Sequence, residues 1–157
     1  MGNILQSTLS GSFEAVPASL AIVRLVSAMV LGGLVGLERE FKEKPAGLRT
    51  HILVAIAACL FTIVGQELVQ LQFESDDAKR IDPLRLIEAV TAGVAFLAAG
   101  VIFTSGGSVK NITTGASMWL AGAIGLACGA GEIPLAAIAA ALVVAVLYVL
   151  ERLKPSD

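Results

Sequence analysis

The sequence predicts an all-α membrane protein, a polytopic bundle of about five transmembrane helices forming one domain. Composition is the first reason. Hydrophobic residues make up 56% and charged residues 15%, with a mean hydropathy of +0.84, against roughly 45–50% and about 25% in soluble domains. An ordinary water-soluble globule and a disordered chain are both excluded, the latter because disorder needs low hydrophobicity and high charge. The second reason is length of pattern: five apolar stretches approach the roughly 20 helical residues that cross a 30 Å hydrocarbon core. The third is the segregation of Lys and Arg between alternate connections. A net charge of -2 leaves no basic face of the kind that nucleic-acid binding requires.

The expected spans are residues 17–37, 52–71, 84–103, 113–130 and 133–150. Each is apolar around most of its circumference, as a lipid-embedded helix must be. Pro17, Pro83 and Pro134 stand where a first helical turn begins and a missing N–H costs nothing. Asp82 is placed to cap the third helix. Gly129 and Gly131 end the fourth, so Gly131 and Glu132 form a tight link to the fifth. The first span is not a cleavable signal peptide, because no Lys or Arg precedes Arg24. No internal repeat is evident. Cys59 and Cys128 lie in apolar stretches, which argues against a disulfide framework or a Cys-rich metal site.

Orientation follows from the basic residues. Arg39, Lys42, Lys44 and Arg49 in the first connection, Lys110 in the third, and Arg152 and Lys154 at the C-terminus fall on one side. Lys79 and Arg80, with Arg24 and Arg85 near the helix ends, fall on the other. This split predicts a multi-pass protein of the bacterial inner (plasma) membrane, N-terminus out and C-terminus cytoplasmic.

Lipid does not drive apolar side chains together, so helices must associate through close backbone approach and hydrogen bonds. Ala28, Gly32 and Gly36 form one row of small residues, and Ala121, Gly125 and Gly129 another; Ala95, Ala99 and Gly100 offer a third. Packing within the bundle and a homodimer seam both fit these rows. Four ionisable residues fall within spans: Arg24, Glu67, Arg85 and Glu88. Each costs several kcal/mol unless paired or hydrated, and all four belong to the outer half of the bilayer. They either snorkel and pair to fix helix register, or line a polar vestibule in which the two carboxylates contribute to a Mg²⁺ site.

The segment from Gly36 to His51 reads GLEREFKEKPAGLRTH. Its alternating charges, from Glu38, Arg39 and Glu40 to Lys44, suit a dense network of charge-assisted hydrogen bonds at the inner membrane edge. Pro45 and Gly47 demand a turn, Arg49 adds charge, Thr50 is placed to cap the second helix, and His51 reads as a hydrogen-bonding residue. Between the third and fourth spans, residues 104–115 form a polar loop containing Gly107, Lys110, Asn111, Thr113 and Thr114. The loop either simply connects, or presents its amides as an anion nest, or folds back on the charged segment. It is not a P-loop, lacking the required Gly-x-x-x-x-Gly-Lys-Ser/Thr order.

These stretches resemble the membrane domain of the MgtC/SapB family. The resemblance is carried by Glu38-Arg39-Glu40 followed by Lys44-x-Ala46-Gly47-Leu48-Arg49-Thr50-His51, by Asp82-Pro83, by AFLAAGVIF from Ala95 to Phe103, and by GGSVKNITTGASMW from Gly106 to Trp119. It implies a link to low-Mg²⁺ adaptation and virulence, with effects on membrane energetics that include ATP synthase, and an older reading as a Mg²⁺ transporter. Relatives often carry a soluble C-terminal domain, which is not expected here after residue 150.

No nucleophile–His–acid set, zinc signature or cofactor fingerprint can be assembled, so no enzyme and no cofactor are expected. Two functions remain open. One is a regulatory membrane protein that binds another inner-membrane protein; the other is a cation (Mg²⁺) transporter or channel, for which polar residues at mid-membrane are few.

Overall fold

The structure, a computed structural model, describes residues 13–70 and 82–152. Five helices follow in order: α1 (Ala18–Phe41), α2 (Leu48–Gln70), α3 (Pro83–Val101), α4 (Ile112–Ala130) and α5 (Ile133–Arg152). A two-stranded hairpin, β1 (Phe103–Ser105) and β2 (Ser108–Lys110), joins α3 to α4. At 1.5 Å per residue the 24 residues of α1 extend about 36 Å, enough to cross a bilayer core of about 30 Å. Helices α1 to α4 are long and apolar enough to span, and residues Ile133–Val149 of α5 form a shorter apolar helix. The molecule is therefore an all-α membrane bundle.

Helix α2 lies at the centre, packed against both α1 and α4; α5 covers α1 and α4, and α3 leans mainly on α4. Small side chains point inward and large ones outward, the reverse of a water-soluble globule. Ala28, Ala55, Ala121 and Cys128 are fully buried, whereas Ile22, Leu53, Phe96 and Leu142 are more than 60% exposed. Such an exterior suits a lipid environment.

Both main rows of small residues are filled within the chain. A Cβ on Gly32 would lie 2.6 Å from Ala55 Cβ, and one on Gly36 would lie 2.8 Å from Leu48 Cα, so α1 and α2 touch backbone to backbone. From the other side, a Cβ on Gly125 would meet the Ala55 carbonyl oxygen at 2.2 Å, and one on Gly129 the Cys59 carbonyl oxygen at 2.7 Å. Gly93 and Gly100 on α3 face open space instead.

Several boundaries depart from the sequence expectation. Helix α3 ends at Val101, two residues early, because Ile102 turns extended and the chain enters the hairpin. The polar loop is that hairpin: Gly106 and Gly107 both adopt positive φ (59° and 77°), as a two-residue turn matched to strand twist requires, and Thr104 pairs with Val109. The end of the second expected span, together with Lys79 and Arg80, lies outside the described residues, as does Lys154.

Candidate functional site

Helix α2 starts at Leu48, earlier than expected, and Thr50 does not cap it. The Glu40 carboxylate, reaching across from the end of α1, accepts from the Leu48 N–H at 3.0 Å. Gly47 makes this possible, since a Cβ there would lie 1.8 Å from Glu40 Oε2. Between the two helices the chain turns tightly: Glu43 takes φ 52°, and the Lys44 N–H returns to the Arg39 carbonyl at 3.1 Å.

His51 sits one turn into α2 with 0% exposure. Its Nδ1 donates to the Gly47 carbonyl at 2.8 Å, and its Nε2 lies 3.0 Å from Ser117 Oγ on α4. The Ser117 hydroxyl also stands 2.9 Å from the Thr114 carbonyl, so its single proton serves one acceptor at a time. This chain ties the first turn of α2 to α4 across the buried interface. Ser117 was legible only as a polar residue in an apolar span; nothing in the sequence pairs it with a residue 66 positions away.

Arg39 is buried and pairs with Glu38 through Nε. Within the charged segment Glu38 pairs with Arg39 and Glu40 holds the start of α2. Arg49 is exposed and Thr50 partly buried. Arg39, Lys44, Lys110, Asn111, Thr113 and Thr114 share the wall of one cavity of about 550 Å³, so the loop does fold back beside the charged segment. Asn111 sits in the left-handed region (φ 64°) just ahead of α4, and its side-chain amide donates to the Val101 carbonyl at 3.1 Å, closing the hairpin. Gly107 occupies the hairpin turn, and Trp119 is 45% exposed on the outer face of α4.

At the opposite end, no hydrogen bond or ion pair among the described residues joins Arg24, Glu67, Arg85 and Glu88 to one another. Glu67 accepts from three successive backbone N–H groups, Glu14 and Ala15 at 3.1 Å and Val16 at 2.9 Å. Both its oxygens thereby anchor the segment that leads into α1. Arg24 donates to the Gly129 carbonyl at 2.7 Å and to Gln66 Oε1 at 2.9 Å, and Gln66 donates to the same carbonyl at 3.2 Å. A cation at the C-terminus of α4 suits the negative end of its dipole and supplies carbonyls that lack helical partners. Gln66, uncharged and so not singled out from sequence, completes that cap.

Asp82 caps α3, accepting from the Leu84 N–H at 3.0 Å. Arg85 lines a mostly apolar cavity of about 630 Å³ between α2, α3 and α4. Glu88 is exposed, and among the described residues no bond joins it to Arg85. Nor, among them, does any group of three or more His, Cys, Asp or Glu side chains gather closely enough to hold a metal ion.

The chain matches the model of the MgtC family over residues 25–155. It belongs to the MgtC family. Among family relatives, the protein named MgtC from Brucella abortus (strain 2308) is 39% identical over 129 residues, covering 82% of this chain and 50% of its own length. Protein SapB of Bacillus subtilis (strain 168) is 41% identical over 113 residues, 70% of this chain and 47% of its own. An Escherichia coli K12 protein named "Putative magnesium transporter YhiD" is 34% identical over 136 residues, 84% of this chain and 61% of its own. The chain thus spans about half the length of most of these relatives. No solved structure matches it. The MgtC match runs through both ends of the bundle, from Arg24's immediate neighbour through the His51–Ser117 link and the Lys110–Thr114 junction.

Proposed function

We propose that this chain is a non-catalytic protein of the bacterial inner membrane, N-terminus out and C-terminus cytoplasmic, that modulates another membrane protein through its lipid-facing helices. The observation supporting this reading is the closed interior. Where an ion path would run, α2 meets α4 and α1 in direct backbone contact at Gly125, Gly129 and Gly32, and the buried residues there are mostly Ala, Gly and Cys. Conduction needs a lining of carbonyls, charges or water at that depth. Two of the four charges that the sequence places in the membrane support the fold: Arg24 as a helix cap and Glu67 as an anchor.

The partner would meet the exterior, and α3 is the exposed helix best suited to it. It is covered least by its neighbours, and Phe96 (80% exposed) and Leu97 (53%) project from it beside the open Gly93 and Gly100. By family, the process served is adaptation to low Mg²⁺, and the ATP synthase membrane sector is the first partner to test. A photocrosslinking residue at position 96 or 97, in cells, is expected to trap that partner. Only copies of the same chain at both positions would refute the reading.

The second reading, Mg²⁺ transport, draws on the name of the Escherichia coli relative. It requires the packed centre to open.

A further inference from the structure

The cavity shared by the end of α1 and the start of α4 also reaches α5. Besides Arg39, Lys44 and Lys110, its lining includes Val109 and Ile112 and, from α5, Val146 and Leu147, so the space combines cationic and apolar groups. Its volume of about 550 Å³ lies within the 300–1,000 Å³ of sites that hold small molecules.

Two independent features mark it as an anion site. The first is Arg39, whose side chain is 4% exposed. Its guanidinium engages Glu38 through Nε, and the described residues give its two terminal nitrogens no acceptor. Guanidinium donors that find no acceptor among the described residues favour an oxygen in the cavity that Arg39 lines. The second is the start of α4, a helix of 19 residues that makes no side-chain cap. The Asn111 amide, which occupies the capping position, is turned away to the Val101 carbonyl. The first N–H groups of α4, at Ile112 to Thr114, therefore open beside the cavity with the positive end of the helix dipole behind them. Of the nearby acids, Glu40 is spent on the Leu48 N–H, and Glu38 gives Oε2 to Arg39 while its Oε1 stays buried without a partner among the described residues.

We propose that this cavity binds a phosphate group between Arg39, Lys44, Lys110 and the α4 N-terminus. The apolar lining favours one source for it, the headgroup of an acidic phospholipid whose acyl chain runs along Val146 and Leu147. A lipid-exposed exterior at the same level gives such a molecule lateral entry, with Val146 itself 53% exposed.

The test uses the full chain in nanodiscs of phosphatidylcholine into which phosphatidylglycerol is titrated, with retained lipid read by native mass spectrometry and unfolding followed in parallel. Wild-type protein is expected to retain phosphatidylglycerol selectively. Lys44→Ala/Lys110→Ala, two exposed positions whose loss leaves the bundle packed, should weaken retention about thirtyfold through the loss of two charge-assisted contacts to the phosphate. Lys42→Ala/Arg49→Ala removes equal charge from residues that do not line the cavity and should bind as wild type. In a second arm, inorganic phosphate is added to phosphatidylcholine nanodiscs. If it alone raises the unfolding temperature, and only when Lys44 and Lys110 are present, the phosphate site stands and its ligand is water-soluble. Equal binding by wild type and the Lys44/Lys110 variant in both arms overturns the proposal. Equal loss in both double variants does the same, because it reduces the effect to surface charge.

Discussion

Replacing Gly125 by alanine adds one methyl group where α2 and α4 have no room for it. The new Cβ would stand 2.2 Å from the Ala55 carbonyl oxygen and 2.9 Å from the Ala55 Cα, both backbone atoms. No side chain can rotate away. To regain an ordinary contact near 3.5 Å the helices must part by about 1.3 Å, and a gap of 0.5–1 Å already forfeits a quarter to a half of the dispersion energy along the interface. We expect a cost of about 3 kcal/mol, the upper part of the usual range for overpacking. Alanine returns about 1 kcal/mol through its better helix propensity, leaving a net loss of about 2 kcal/mol. In a chain of this size that lowers the unfolding midpoint by about 4–8 °C. Gly93→Ala supplies the internal control, since a Cβ there meets nothing within 4 Å, and its midpoint should hold or rise. Thermal unfolding of both variants in the same mild detergent decides the matter. Similar midpoints for the two would refute backbone contact as the force that closes the bundle.

Ser117→Ala should cost about 1–3 kcal/mol, because it strands the Nε2 of a fully buried His51 without a partner; a midpoint equal to that of wild type would contradict the link between α2 and α4. Glu67→Gln should release the segment before α1, raising hydrogen exchange at the Ala15 and Val16 amides by about an order of magnitude as the charged acceptor is lost, while amides in the middle of α1 stay protected. Unchanged exchange at those two amides would show that the Glu67 carboxylate does not anchor them.

How much of this was readable beforehand depends on the range of each interaction. The spans, the Asp82 cap and the small-residue rows are local patterns, and hydropathy, capping chemistry and four-residue spacing suffice to find them. The start of α2 was misplaced because its cap is not a neighbour in its own turn but Glu40, held on another helix. The charged residues in the membrane were visible, but their roles were not. Arg24 donates to a carbonyl 105 residues away and Glu67 accepts from backbone amides more than 50 residues away, and a search for side-chain partners passes over backbone groups. The hairpin had a local signal in Gly106-Gly107, which the surrounding polar residues concealed as an ordinary loop. Arg39 was identified as one charge among many; only the fold shows it buried at the edge of a cavity.

The closed centre of the bundle is tested most directly by ion flux. Purified protein reconstituted in liposomes loaded with a Mg²⁺ indicator should leave the dye signal at the level of protein-free vesicles, with Glu67→Gln and Glu88→Gln indistinguishable from wild type. A protein-dependent Mg²⁺ influx that either substitution diminishes would contradict the account and restore the transporter reading.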